Sequence, residues 1–166
     1  MIAGARLRGR FEAVCRDAQG NIKWREDVSN GVTTEGCNYL LDTGFHGGTA
    51  ASTWYIGLID SDGYTGLDAG DTLASHDGWS EATPYSGNRP EWAEGAASNG
   101  SMTNASAVSI EFNGSATLKG AFLASANTGT SGTLYSTALF STTRSVVSGD
   151  TLNLTYTVSI ADSEAE

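Results

Sequence analysis

Proline is nearly absent, with 2 residues in 166, and histidine and cysteine also occur only twice each. Neither His46 nor His76 stands at metal-ligand spacing from a cysteine or from the other histidine, so no metal centre is expected. No Gly-x-Ser-x-Gly elbow and no phosphate-binding glycine loop is present, which argues against serine-hydrolase and nucleotide chemistry. No apolar run approaches the roughly 20 residues that cross a bilayer as a helix. The opening MIAGARLRGR is basic but leads into no apolar core, so no secretory signal is expected. The sequons at Asn99, Asn104, Asn113 and Asn153 then carry no meaning. Cys15 and Cys37 stand among apolar neighbours and are expected as buried free thiols of a reduced intracellular protein.

Positive charge is also scarce. Lys and Arg total 9 against 19 Asp and Glu, for a net charge of −10. An acidic body disfavours nucleic acid, whose phosphates need a basic face. The cations are unevenly placed: Arg6, Arg8, Arg10, Arg16, Lys23 and Arg25 precede residue 26, and only Arg89, Lys119 and Arg144 follow it. A basic beginning on an acidic body suits docking onto an acidic surface, including another copy of the chain. The plainer reading is that most of these charges solvate strand faces.

What is plentiful is glycine, at 21 residues, together with Ser and Thr. This balance reads as short strands joined by glycine-centred turns in one domain. Arg8–Arg16 and Ile22–Val28 alternate around a turn cluster at residues 17–21 and form a hairpin. Thr34–Asp42 is the one helix, capped by Thr33 or Thr34 and stopped at Gly44. Its apolar positions Cys37, Leu40 and Leu41 fit a plug across one end of the fold. Trp54–Asp60, WYIGLID, is almost wholly apolar and reads as a strand buried on both faces or at a subunit contact. Val108–Phe112 and Thr117–Ala124 flank Asn113-Gly114, a hairpin signal. Leu134–Phe140 and the alternating Thr151–Ile160 complete the set. About eight strands imply an all-β, antiparallel, jelly-roll-like β-sandwich with one short helix. The expected organisation is a basic N-terminal arm at 1–8, the sandwich at 9–160 and an acidic tail at 161–166.

Residues 70–92, GDTLASHDGWSEATPYSGNRPEW, fit no regular period yet carry Trp79, Tyr85 and Trp92. An aromatic-rich irregular stretch in a compact domain is expected to fold down and serve a purpose. Trp79 and Trp92 are expected to be buried. With Trp54 and Tyr85 they are the structural or interface aromatics, since packing is the commoner use of such rings than a sugar-binding platform. Asp60, Asp62, Asp68 and Asp71 superficially resemble a calcium loop. Gly63 falls at the fourth position rather than the sixth, so Asp-mediated turns are the better account. Gly-Asp-Thr-Leu occurs at 70–73 and 149–152 and reads as a recurrent turn rather than a duplication. His76 is expected to be structural. Acidic pairs arise by number alone in this chain, and no glycosidase pair stands out.

The pattern VTTEGCNYLLDTGFHGG, WYIGLID, AGDTLASHDGW, YSGNRPEW, SGTLYSTALF and SGDTLNLTYTV resembles a family of small tailed-bacteriophage proteins, the jelly-roll capsid decoration (cement) proteins. The resemblance runs from about residue 9 to residue 160. It implies a homotrimer on the outer surface of the capsid, made in the host cytoplasm. The trimer would bind the major capsid protein at capsomer junctions, without catalysis. No cofactor, metal, nucleic acid or membrane is expected. It assigns no individual contact residues. The charge distribution nominates Arg6, Arg8 and Arg10 as capsid contacts. The rival expectations are a tail- or fibre-associated glycan-binding module using exposed aromatics, and a glycan hydrolase.

Overall fold

The computed structural model describes residues 4–162. Among them are ten strands and one helix: β1 (Ala5–Arg16), β2 (Ile22–Ser29), β3 (Gly31–Val32), α1 (Thr34–Phe45), β4 (Tyr55–Asp60), β5 (Glu81–Ala82), β6 (Ser101–Thr103), β7 (Val108–Glu111), β8 (Ala116–Ala124), β9 (Leu134–Val146) and β10 (Thr151–Asp162). They form two antiparallel five-stranded sheets. Sheet A runs β2-β1-β10-β6, with β7 also on β10, and sheet B runs β3-β9-β8-β4-β5. The chain is the all-β sandwich with one short helix that its alternation predicts. Three of the strands, β3, β5 and β6, are two or three residues long and too short to leave a periodic signal.

The main core follows from strand parity. On β1, Phe11, Ala13 and Cys15 point inward and pair across β10 with Tyr156, Leu154 and Leu152. All six are at most 1% exposed. Sheet B answers with Ile56, Leu58, Ala121, Leu123, Tyr135 and Ala138. One end of the sandwich is closed by β9 reaching across to β2. There Glu26 accepts hydrogen bonds from Ser141 N (3.0 Å), Ser141 Oγ (2.9 Å) and Arg144 Nε (2.6 Å), and Trp24 Nε1 donates to Ser145 O (3.2 Å).

Sheet B is buried on both faces, which explains the continuous apolar run of β4. Its outer face carries a second core of Ile59, Leu73, Trp79, Phe122, Ala124 and Leu134. Gly57 permits this: it pairs with Phe122, and a Cβ there would lie 2.0 Å from the Phe122 ring. The molecule is thus three layers, with residues 64–79, which run into the irregular segment, as the third.

Four expectations need correction. Asn113-Gly114 makes no hairpin: β7 pairs with β10 in sheet A, whereas β8 pairs with β4 and β9 in sheet B. Neither residue has the positive φ of a tight hairpin turn, and both amides donate instead to Pro84 O. The helix passes Gly44 and ends at Phe45, with Thr33 as N-cap accepting from Gly36 N at 2.9 Å. Its apolar face is only partly used: Leu40 packs on the core, but Cys37 is exposed and Leu41 is 58% exposed. Only Cys15 of the two thiols is buried. Residue 8 is no boundary either, because β1 runs unbroken from Ala5 and pairs Ala5 with Asp162. Of the expected arm and tail, residues 1–3 and 163–166 lie outside the described residues.

Candidate interaction surface

The outward positions of β1 are Arg6, Arg8, Arg10, Glu12, Val14 and Arg16, because Leu7, Gly9, Phe11, Ala13 and Cys15 take the inward ones. Side chains two residues apart on a strand sit about 6.8 Å apart, so Arg6, Arg8 and Arg10 form one row. Beside them β10 presents half-buried Thr155, Thr157 and Ser159, registered against Glu12, Arg10 and Arg8. On the other flank β2 adds exposed Arg25 and Asp27. Arg10 grips Asp27 with two guanidinium nitrogens, Nε at 2.6 Å, and lies 3.4 Å from Glu12. The hydrogen bonds from Arg10 hold the Asp27 carboxyl below its ordinary range. Arg6 and Arg8 are exposed and also engage other groups. The outer face of sheet A therefore carries an arginine row beside a hydroxyl row, with Glu12 and Asp27 among them, on a protein of net charge −10.

The four expected aromatics do not converge on one patch. Trp54 is half-buried, edge-on to Tyr39 (5.0 Å) and Tyr135 (5.6 Å), at an apolar pocket of about 380 Å3 beside α1. Helix α1 borders this pocket and does not seal it. Trp79 is 5% exposed in the outer layer. It stacks on His76 at 3.9 Å and donates from Nε1 to Asp71 Oδ2 at 2.9 Å. Trp92 is 3% exposed, and its Nε1 is shared between Asn104 Oδ1 (3.2 Å) and Tyr156 O (3.1 Å). Tyr85 is buried in the main core. The indoles of Trp79 and Trp92 are buried within a single chain and offer no exposed stacking platform.

The groups that hold the irregular segment include several that no motif announces. Arg89 is buried, bonded by Nε and Nη2 to both carboxylate oxygens of Glu81 (2.8 and 2.7 Å) and to the carbonyls of Ala126 (2.8 Å) and Gly129 (2.9 Å). Glu35, in the first turn of α1, accepts the amides of Leu73 (3.3 Å) and Leu134 (2.6 Å) and so ties the segment to β9. Asn104 accepts Tyr156 N (3.0 Å) and donates to Leu154 O (3.1 Å). The one available signal was Arg89 itself, a lone cation between residues 25 and 119.

The aspartates serve turns. Asp60 accepts Asp62 N, and Asp68 accepts Gly70 N. The two Gly-Asp-Thr-Leu copies share one device. Asp71 and Asp150 each accept the amide three residues back, from Asp68 (3.0 Å) and Val147 (2.9 Å), and each donates its own amide to that residue's carbonyl. The following Leu73 and Leu152 are both buried. His76 Nδ1 lies 3.0 Å from Trp79 O, a structural role. Among the described residues no three His, Cys, Asp or Glu side chains are grouped to hold a metal, and no helix is long and apolar enough to cross a membrane. No protein-family model and no curated protein matches the chain.

Proposed function

We propose that this protein is a structural component of a tailed-phage virion, a decoration protein that stabilises the head by binding as a trimer at capsomer junctions. The observation that carries this reading is the outer face of sheet A, where Arg6, Arg8 and Arg10 of β1 lie beside the hydroxyl row of β10 and Arg25 stands beyond β1 on β2. A row of arginines beside hydroxyls on an acidic body is suited to an extended acidic protein surface rather than to a small substrate. The sequence resemblance supplies the identity of that surface, the major capsid protein on the outside of the shell. A trimer repeats the face by symmetry, and simultaneous engagement multiplies modest contacts into firm attachment. The polar side chains of the irregular segment support the same reading, because Asp71, Glu81 and Arg89 are consumed by internal bonds.

The test is binding of purified protein to heads that lack it. Occupancy falls in the triple variant R6A/R8A/R10A and falls for the wild type as salt rises, while the variant's unfolding midpoint stays close to that of the wild type. Unchanged occupancy of the triple variant in low salt would contradict the assignment of the face.

A further inference from the structure

The largest apolar exposures of the molecule gather in two places. Among the described residues, the three most exposed large apolar side chains are Phe45 (89%), Leu41 (58%) and Ile160 (54%). Leu41 and Phe45 stand four residues apart on α1 and form one ridge along the helix. Cys37, four residues further back, is exposed as well and extends it. Ile160 stands instead on the lip of the apolar pocket of about 380 Å3 beside the helix. Burial of such surface is the main drive to association in water.

The pocket is a socket between the two sheets. Sheet A contributes Leu7, Met102, Val158 and Ile160 to its lining, and sheet B contributes Leu123 and Tyr135. Among the described residues that line it, Glu94 alone is charged, which suits an apolar side chain better than a charged ligand. The volume is ample for a phenyl ring, since an apolar cavity of about 150 Å3 holds benzene.

The ridge does not enter the socket of its own chain. Tyr39 and Leu40 of α1 form part of the socket wall. At about 100° per residue, Leu41 and Phe45 lie about 100° and 140° round the helix from Leu40 and turn away from that wall. Every copy thus carries one ridge and one socket, and the two meet only between copies. An unrelated partner would cover one of them and leave the other in water. A contact between two different patches is head-to-tail and closes into a ring where the rotation allows. We propose that copies of this chain assemble head to tail, with Leu41 and Phe45 of one copy seated in the apolar pocket of the next, against Trp54, Met102 and Ile160. This contact supplies the trimer of the proposed function and rests on that reading for the number of copies.

The experiment is sedimentation velocity on the isolated full chain over a concentration series, repeated in about 1 M salt. The wild type sediments as a trimer, and raised salt does not dissociate it, unlike docking through the arginine face. F45A weakens assembly about thirtyfold, the loss at a buried aromatic anchor. F45D and L41D on the ridge and I160D on the lip are each monomeric, and they keep the wild-type melting midpoint because these side chains are already exposed. If I160D melts lower, A97W takes its place, plugging the pocket from an exposed position. An equimolar mixture of F45D and the pocket variant gives dimers, since one intact ridge and one intact pocket remain between them. A wild type that stays monomeric would overturn the contact, whether another protein or a small apolar ligand then fills the pocket. So would a wild type that stops at a dimer, a trimer that survives F45D and I160D, or a mixture that stays monomeric. A trimer that survives these variants leaves the proposed function standing, whereas a Phe45-dependent trimer that binds no heads leaves the contact standing and removes the function.

Discussion

At the scale of single residues, the fold depends on a few polar side chains that each satisfy several groups. Arg89 is the clearest, fastening Glu81 and two loop carbonyls under the irregular segment. Removing one member of a buried ion pair costs about 3–5 kcal/mol, and in a domain of this size each kcal/mol shifts the midpoint by about 2–4 °C. R89A is therefore expected to melt about 6–20 °C lower by calorimetry. R89K should rescue little, since a single ammonium cannot reproduce the forked contacts. Glu26 gives a pH signature. Burial pushes its carboxyl up, but the bonds from Ser141 and Arg144 outweigh this and hold it below the ordinary range. Its stabilisation is complete above the ordinary glutamate value of about 4.3 and is lost as pH falls through the lowered folded value. E26Q is expected to be less stable than the wild type at neutral pH, by about 1–3 kcal/mol, with the gap narrowing in acid in urea titrations at several pH values. The two thiols also separate. Burial raises Cys15 to about 11, whereas Cys37 is exposed. A maleimide should label one thiol in the native protein, at Cys37, and two after denaturation.

At the scale of elements, the distinctive unit is the outer layer on sheet B. Trp79, Leu73 and Phe122 make it a small core of its own. W79A removes the centre of that layer and is expected to cost about 3–5 kcal/mol. Hydrogen exchange of W79A should show lost protection at residues 65–79 while β1 and β10 keep theirs, because the main core is untouched. Equal loss in both regions would mean that the layer and the sandwich are one cooperative unit. The long strands were legible in the sequence because β1 and β10 alternate, and parity is a local property. The third layer was legible only as an aromatic-rich gap in the pattern. Its fastening runs from Arg89 to Ala126 and Gly129, 37 and 40 residues away, which no local period encodes. Asn113-Gly114 misled for the opposite reason. Its local turn preference is real, but two hydrogen bonds to Pro84 O and the need to cross between sheets override it. The helix was found by its cap, yet its apolar positions overstated its burial, since Cys37 and Leu41 face outward. The arginine row was legible as charge, and its place between β10 and β2 became visible only once β1 was paired on both sides.

At the scale of the whole molecule, charge is segregated. The basic groups before residue 26 lie on β1 and β2 of one sheet, while the chain as a whole carries −10. Docking through such a face is electrostatic at its rim and weakens with salt, since the screening length is about 8 Å at physiological ionic strength. Head occupancy measured across a salt series should therefore fall more steeply for the wild type than for R6A/R8A/R10A. The central claim is where the protein sits, and the most direct measurement is electron cryomicroscopy of intact virions, with particles lacking the protein as reference. The account predicts difference density on the outer shell at capsomer junctions, with sheet A's arginine face toward the capsid. Difference density only along the tail, or none on the shell, would contradict it.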